Sequence, residues 1–123
     1  MLADTRAYSG IAGHDMQQAR QFYQESLGLR TSEEYALLWL HHPGGRDTLI
    51  YEQPEATPAS YTVLNFEVDD IAAAVDALTA RGVHFKKYTA LTQEEKGIFR
   101  EDGPYIAWFK DPSGNVLSVL QEK

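Results

Sequence analysis

Tyr105-Ile106-Ala107-Trp108-Phe109-Lys110-Asp111-Pro112-Ser113-Gly114-Asn115-Val116-Leu117-Ser118-Val119-Leu120 reads as an apolar strand, a Pro/Gly turn and a second apolar strand, the pattern of a β-hairpin. The first half of the chain says nearly the same thing. Ala36-Leu37-Leu38-Trp39-Leu40-His41-His42-Pro43-Gly44-Gly45 stands 69 residues earlier and also runs through a Trp into a Pro/Gly turn. Upstream, Gly10-Ile11-Ala12-Gly13-His14-Asp15-Met16 is echoed 55 residues on by Asn65-Phe66-Glu67-Val68-Asp69-Asp70-Ile71. Each of these echoes opens a helix. Two modules of about 55–60 residues therefore fill the chain, and two half-sheets from such a repeat can close around one ligand pocket.

Working outward, Ala7–Ala12 reads as a short strand, Asp15 as a helix N-cap, and Met16, Ala19, Phe22, Tyr23 and Leu27 as the apolar face of a helix to about Ser26. Gly28 ends it. Leu29–Ser32, Ala36–Leu40 and Thr48–Tyr51 read as three strands. Module one spans about residues 5–53 and a proline-bearing linker about 54–60. Module two, about 61–121, opens on Tyr61–Val68, where Leu64, Phe66 and Val68 alternate with Val63, Asn65 and Glu67. Asp69 or Asp70 caps a helix over Ile71–Arg81 with Ile71, Ala74, Val75 and Leu78 inward; Val83–Tyr88 reads as a strand. Each module is β-α-β-β-β. The expected fold is α+β, one domain over residues 1–123, with curved mixed β-sheets and helices on the outer face.

At 123 residues the chain can bury a real core. No apolar run approaches the ~20 residues of a membrane span, and the N-terminus lacks the basic and apolar regions of a signal peptide, so a cytoplasmic protein is expected. With no cysteine there is no disulfide, thiolate site or cysteine nucleophile. A formal net charge of −7 argues against nucleic acid and anionic membrane as partners.

The doubled module order, "FYQESLGL" at the end of the first helix, "VDDIAAAVDALTARGV" in the second, and "AWFKDPSGNVLSVLQ" at the end together resemble the vicinal oxygen chelate superfamily. That superfamily holds glyoxalase I, ring-cleaving extradiol dioxygenases, fosfomycin-resistance enzymes and bleomycin-resistance proteins. The resemblance implies a glyoxalase-like fold. Its metal-dependent members place His or Glu at four positions on the first and last strands of each module. Carried onto this chain, those positions are Tyr8, Leu49, Val63 and Ser118. Val and Leu offer no donor, and protonated Tyr and Ser hydroxyls are poor ligands. No metal and no cofactor is expected. The four histidines share no metal-ligand spacing and read as separate surface groups; His41 and His42, adjacent on a strand, point to opposite faces.

The expected concave face is mainly apolar. Leu49 and Val63 join the polar points Tyr8, Tyr51, Asn65, Glu67 and Ser118 on it, the usual recipe of a small-molecule site. Trp39 and Trp108 hold equivalent places and read either as core packing or as rings that stack on a flat ligand; Tyr105 and Phe109 have the opposite strand phase from Trp108, and the sequence leaves open which of them faces inward. Thr89–Pro104 reads as a long polar segment that is either a solvated loop or a lid over the pocket bringing Arg100 or Lys96 to an anionic group. Two readings follow. One is a metal-free binding protein of the bleomycin-resistance type for a small, partly aromatic molecule. The other is a glyoxalase-like lyase, isomerase or dioxygenase using a shifted metal site or Glu67 and Tyr8 as acid–base groups. A non-catalytic interaction module is a third. A homodimer is expected, because association covers sheet edges.

Overall fold

The computed structural model describes residues 1–88, 93, 96–101 and 103–122. The chain forms two compact units, Met1–Ala56 and Thr57–Lys123.

The first unit contains β1 (Ser9–Gly13), α1 (Met16–Arg20), β2 (Arg30–Glu34), β3 (Leu37–His42) and β4 (Arg46–Glu52). Its sheet has the order β1-β4-β3-β2, with β1 parallel to β4 and the other neighbours antiparallel. Asp15 caps α1 by accepting a hydrogen bond from the Gln18 backbone N–H at 3.0 Å. The sequence led us to expect one regular helix to about Ser26; instead Gln21–Ser26 is π-helical. The Leu27 N–H reaches back five residues to the Phe22 carbonyl at 2.9 Å, and the Leu29 N–H reaches the Tyr23 carbonyl at 3.0 Å. A 3.6-residue apolar pattern carries no information about such a local widening. Ala19 and Tyr23 are buried. Opposite α1 lie Ile11, Leu38, Leu40, Thr48 and Ile50, also buried, on one face of the sheet.

The β3–β4 turn needs Gly44 and Gly45, which have φ of +82° and +72°. The β2–β3 turn reaches the same left-handed region with Tyr35 (φ +54°) and Ala36 (φ +61°), neither suited to it.

The second unit contains β5 (Thr62–Glu67), α2 (Ile71–Ala80), β6 (Tyr105–Lys110) and β7 (Val116–Gln121), with sheet order β5-β7-β6. Strand β5 runs parallel to β7, and β6 antiparallel to it. Asp70 caps α2 through the Ala73 N–H at 3.1 Å. Ile71 and Val75 of α2, Ala107 and Phe109 of β6, and Leu117 and Val119 of β7 are buried.

Two expectations about this unit need correction. Val83–Tyr88 is not a regular strand: Phe85 makes an isolated bridge to Phe109, with the Lys86 N–H on the Trp108 carbonyl at 2.8 Å. Phe99 bridges Ile106 near the start of β6, so β6 meets two separate segments rather than one strand. The alternation in β5 also breaks. Thr62 pairs with Val116 and Leu64 with Leu117, which leaves Val63 as the extra residue of a β-bulge.

The Asp111–Asn115 turn is a closed hydrogen-bonded unit. Asp111 Oδ1 accepts from the backbone N–H of Ser113 (3.0 Å) and Asn115 (2.9 Å), and Oδ2 accepts from Asn115 Nδ2 (3.0 Å). Asn115 Oδ1 accepts from the Ala59 N–H at 2.9 Å, tying the turn to the start of the unit. Gly114 sits at φ +96°, and a β-carbon there would stand 3.1 Å from Pro58 Cγ, tight enough that the proline must give way.

Candidate functional site

Helix α1 covers one face of the first sheet; the other face carries the candidate site. The register places Gly10 beside Leu49, Leu49 beside Trp39 and Trp39 beside Ser32, so these four share that open face. One pair further along, Ala12 lies beside Tyr51. Tyr8, just ahead of β1, meets the Trp39 ring edge-on at 4.8 Å between centroids. Tyr8 is 51% exposed and Tyr51 40%, an unusual amount of aromatic surface for one sheet face. The guanidinium of Arg6 lies 5.4 Å from the Tyr8 ring centre.

A polar row crosses the same face. His41 and Asp47 are cross-strand partners. His41 Nδ1 lies 3.0 Å from Asp47 Oδ1, its Nε2 lies 2.7 Å from Ser32 Oγ, and Arg6 pairs with Asp47 Oδ2. The hydrogen bond from His41 holds the Asp47 carboxyl below its ordinary pKa, with the charges of His41 and Arg6 acting in the same sense against partial desolvation. His42 points to the opposite face, where its Nε2 lies 3.0 Å from Thr48 Oγ1. Burial lowers the His42 pKa, opposed by the nearby negative charge of Asp47.

This row was missed from sequence, where His41 was read as a separate surface group. A signal was present. A three-residue turn at 43–45 puts position 42 opposite 46 and therefore 41 opposite 47. The contact with Ser32 depends on a third strand and had no comparable signal.

On the second sheet, Asn65, Ser118 and Trp108 form one row across β5, β7 and β6. Ser118 is fully buried and donates its hydroxyl proton to Asn65 Oδ1 at 2.6 Å. Trp108 stands among aromatic rings, 5.6 Å from Tyr88 and 6.3 Å from Phe99. Glu67 lies exposed at the end of β5, beside Leu120. Arg100 stacks over the Tyr105 ring at 4.6 Å, and Lys96 pairs with Asp76 of α2 at 2.9 Å. Part of the expected lid, residues 89–92, 94, 95 and 102, lies outside the described residues.

The donor chemistry at the four family positions does not fit a divalent ion. In the first unit these are Tyr8 and the hydrocarbon Leu49. In the second they are the bulged Val63 and a Ser118 hydroxyl already engaged by Asn65. Among the described residues no three His, Asp or Glu side chains come together in a way that would hold a metal. Among the described residues no helix is long and apolar enough to cross a membrane.

Two mixed sheets of four and three strands, each backed by a helix, define an α+β protein of the glyoxalase-like class. The chain belongs to the Glyoxalase/Bleomycin resistance protein/Dioxygenase superfamily, whose model matches residues 6–119. Among solved structures it is similar to TnmS3, an antibiotic binding protein from Streptomyces sp. CB03234, at 21% identity over 98% of both chains with a TM-score of 0.71. It is similar to a superfamily member from Sphaerobacter thermophilus DSM 20745 at 22% identity, covering 99% of this chain and 100% of that one, TM-score 0.71. The fosfomycin resistance protein FosX from Mesorhizobium loti aligns at 10% identity over 98% and 93%, TM-score 0.67. At these identities the likeness is one of fold. No curated protein matches the chain in sequence.

Proposed function

We propose that this chain binds a small, partly aromatic molecule on the open face of its first sheet without using a metal. The observation that carries this reading is the Tyr8–Trp39 edge-to-face pair with exposed Tyr51 beside Leu49, next to one compact polar row. A flat ring placed on Trp39 gains stacking and desolvation, while Asp47, His41 and Arg6 supply directional contacts. The similarity to an antibiotic-binding protein supports the class of ligand. Strands β1 and β5 end their sheets, and we propose that a second copy covers such an edge. Light scattering on the eluted protein tests that: a monomer mass would refute it.

The ligand test is a titration of tryptophan fluorescence with 1-naphthol and with bleomycin, before and after EDTA. Saturable quenching, unchanged by EDTA and lost in Trp39→Leu, is the expected result. No saturable quenching by either compound, or full quenching in Trp39→Leu, would overturn the reading.

A further inference from the structure

The Ser32–His41–Asp47 row has the geometry of a nucleophile, its base and the group that orients the base. We propose that Ser32 is an acyl-accepting nucleophile and that the open face of the first sheet cleaves small aryl esters. Ser32 Oγ is 2.7 Å from His41 Nε2, and His41 Nδ1 is 3.0 Å from Asp47 Oδ1, both inside hydrogen-bonding reach. The two imidazole nitrogens are engaged in the productive sense. Asp47 can only accept, so Nδ1 carries the proton and donates to it, which leaves the Nε2 lone pair to accept from the Ser32 hydroxyl. Asp47 is held from its other side by Arg6, and its side chain is 12% exposed, so it is a fixed support for the ring. Ser32 itself is exposed and can be reached by a substrate.

The acyl-group chemistry balances without any added reagent. Ser32 Oγ bonds to the ester carbonyl carbon as its proton passes to His41 Nε2. The bond from that carbon to the aryl oxygen breaks, and His41 returns the proton to the departing aryloxide. Water then attacks the acyl-serine, giving its proton to His41; the Ser32 Oγ–acyl bond breaks, Ser32 recovers the proton and a carboxylic acid leaves. The aryl preference follows from register. Trp39 is the direct cross-strand partner of Ser32 on the same face, so an aryl leaving group can stack beside the reacting carbon. Asp47 acts through His41 and is a positioning residue.

The choice of an aryl ester rests on the aromatic-binding reading of this face; the nucleophile assignment does not. The test uses 4-nitrophenyl acetate, with 4-nitrophenol binding measured separately by tryptophan quenching. The expected result is a burst of 4-nitrophenolate and an acetyl adduct that maps to Ser32 by peptide mass spectrometry. Ser32→Ala loses both, and His41→Gln slows acylation about 100-fold. Asp47→Asn lowers kcat about 10-fold or more and leaves KM unchanged, a split that a merely structural role would not produce. An unmodified Ser32 with 4-nitrophenol still bound overturns this inference alone. Absence of both binding and adduct overturns it together with the aromatic reading. An adduct on Ser32 without phenol binding upholds the nucleophile and removes the aromatic surface.

Discussion

Replacing Asp111 with Ala removes an acceptor that three donors use at once. The donors are the backbone N–H groups of Ser113 and Asn115 and the Asn115 side-chain amide, at 2.9–3.0 Å. Asp111 is 7% exposed and Asn115 3%, so water does not readily replace the lost carboxylate at the Asn115 donors. Each buried donor left unsatisfied costs about 1–3 kcal/mol, and relief from burying the carboxylate offsets part of that. The net loss is therefore about 3 kcal/mol, a large share of the ~5–15 kcal/mol that holds a domain together. For 123 residues, unfolding entropy of ~2.1 cal/mol/K per residue converts this to a fall in Tm of about 12 °C. The assay is thermal unfolding by calorimetry, paired with urea unfolding to check that the m-value is preserved. A loss below about 1 kcal/mol at unchanged m-value would refute the claim that this carboxylate organises the turn.

Other perturbations read different parts of the molecule. Tyr35→Asn with Ala36→Gly relieves two left-handed backbone positions in the β2–β3 turn and is expected to stabilise by about 1 kcal/mol, measured by urea unfolding. Burial favours neutral His42, so its folded pKa lies below the ordinary 6.5. Its contribution is then intact above pH 6.5 and is lost as pH falls from there through the folded value. Melting scans from pH 7.5 to 5 are expected to show a smaller drop for His42→Gln than for the parent, and equal drops would sink that assignment. Adding EDTA is expected to leave Tm unchanged, since nothing at the family's four positions suits a metal; a lowered Tm would show a native-state metal. Gly114→Ala must accept both strain at φ +96° and a close approach to Pro58, with a Tm below that of the parent as the expected result.

Much of the architecture was legible in the chain. The internal repeat and the two Asp-capped helices are local signals, set by side-chain pattern and capping chemistry, and the α+β fold follows from them. The local pattern of β6 does not decide between Trp108 and its neighbours; in the structure Phe109 pairs with Leu117 in the core and Trp108 with Ser118 on the other face. The bulge at Val63 shifts the register locally, and no period-2 reading foresees an inserted residue. The π-helical turn and the division of the β6 edge between Phe85 and Phe99 arise in the same way from packing. The chain by itself determined the modules, their caps and the faces of most strands, because those depend on neighbours a few residues apart. Only the tertiary structure brought Ser32, His41, Asp47 and Arg6 into one row, because that row crosses the sheet and depends on the alignment of strands whose pairing the local pattern does not encode.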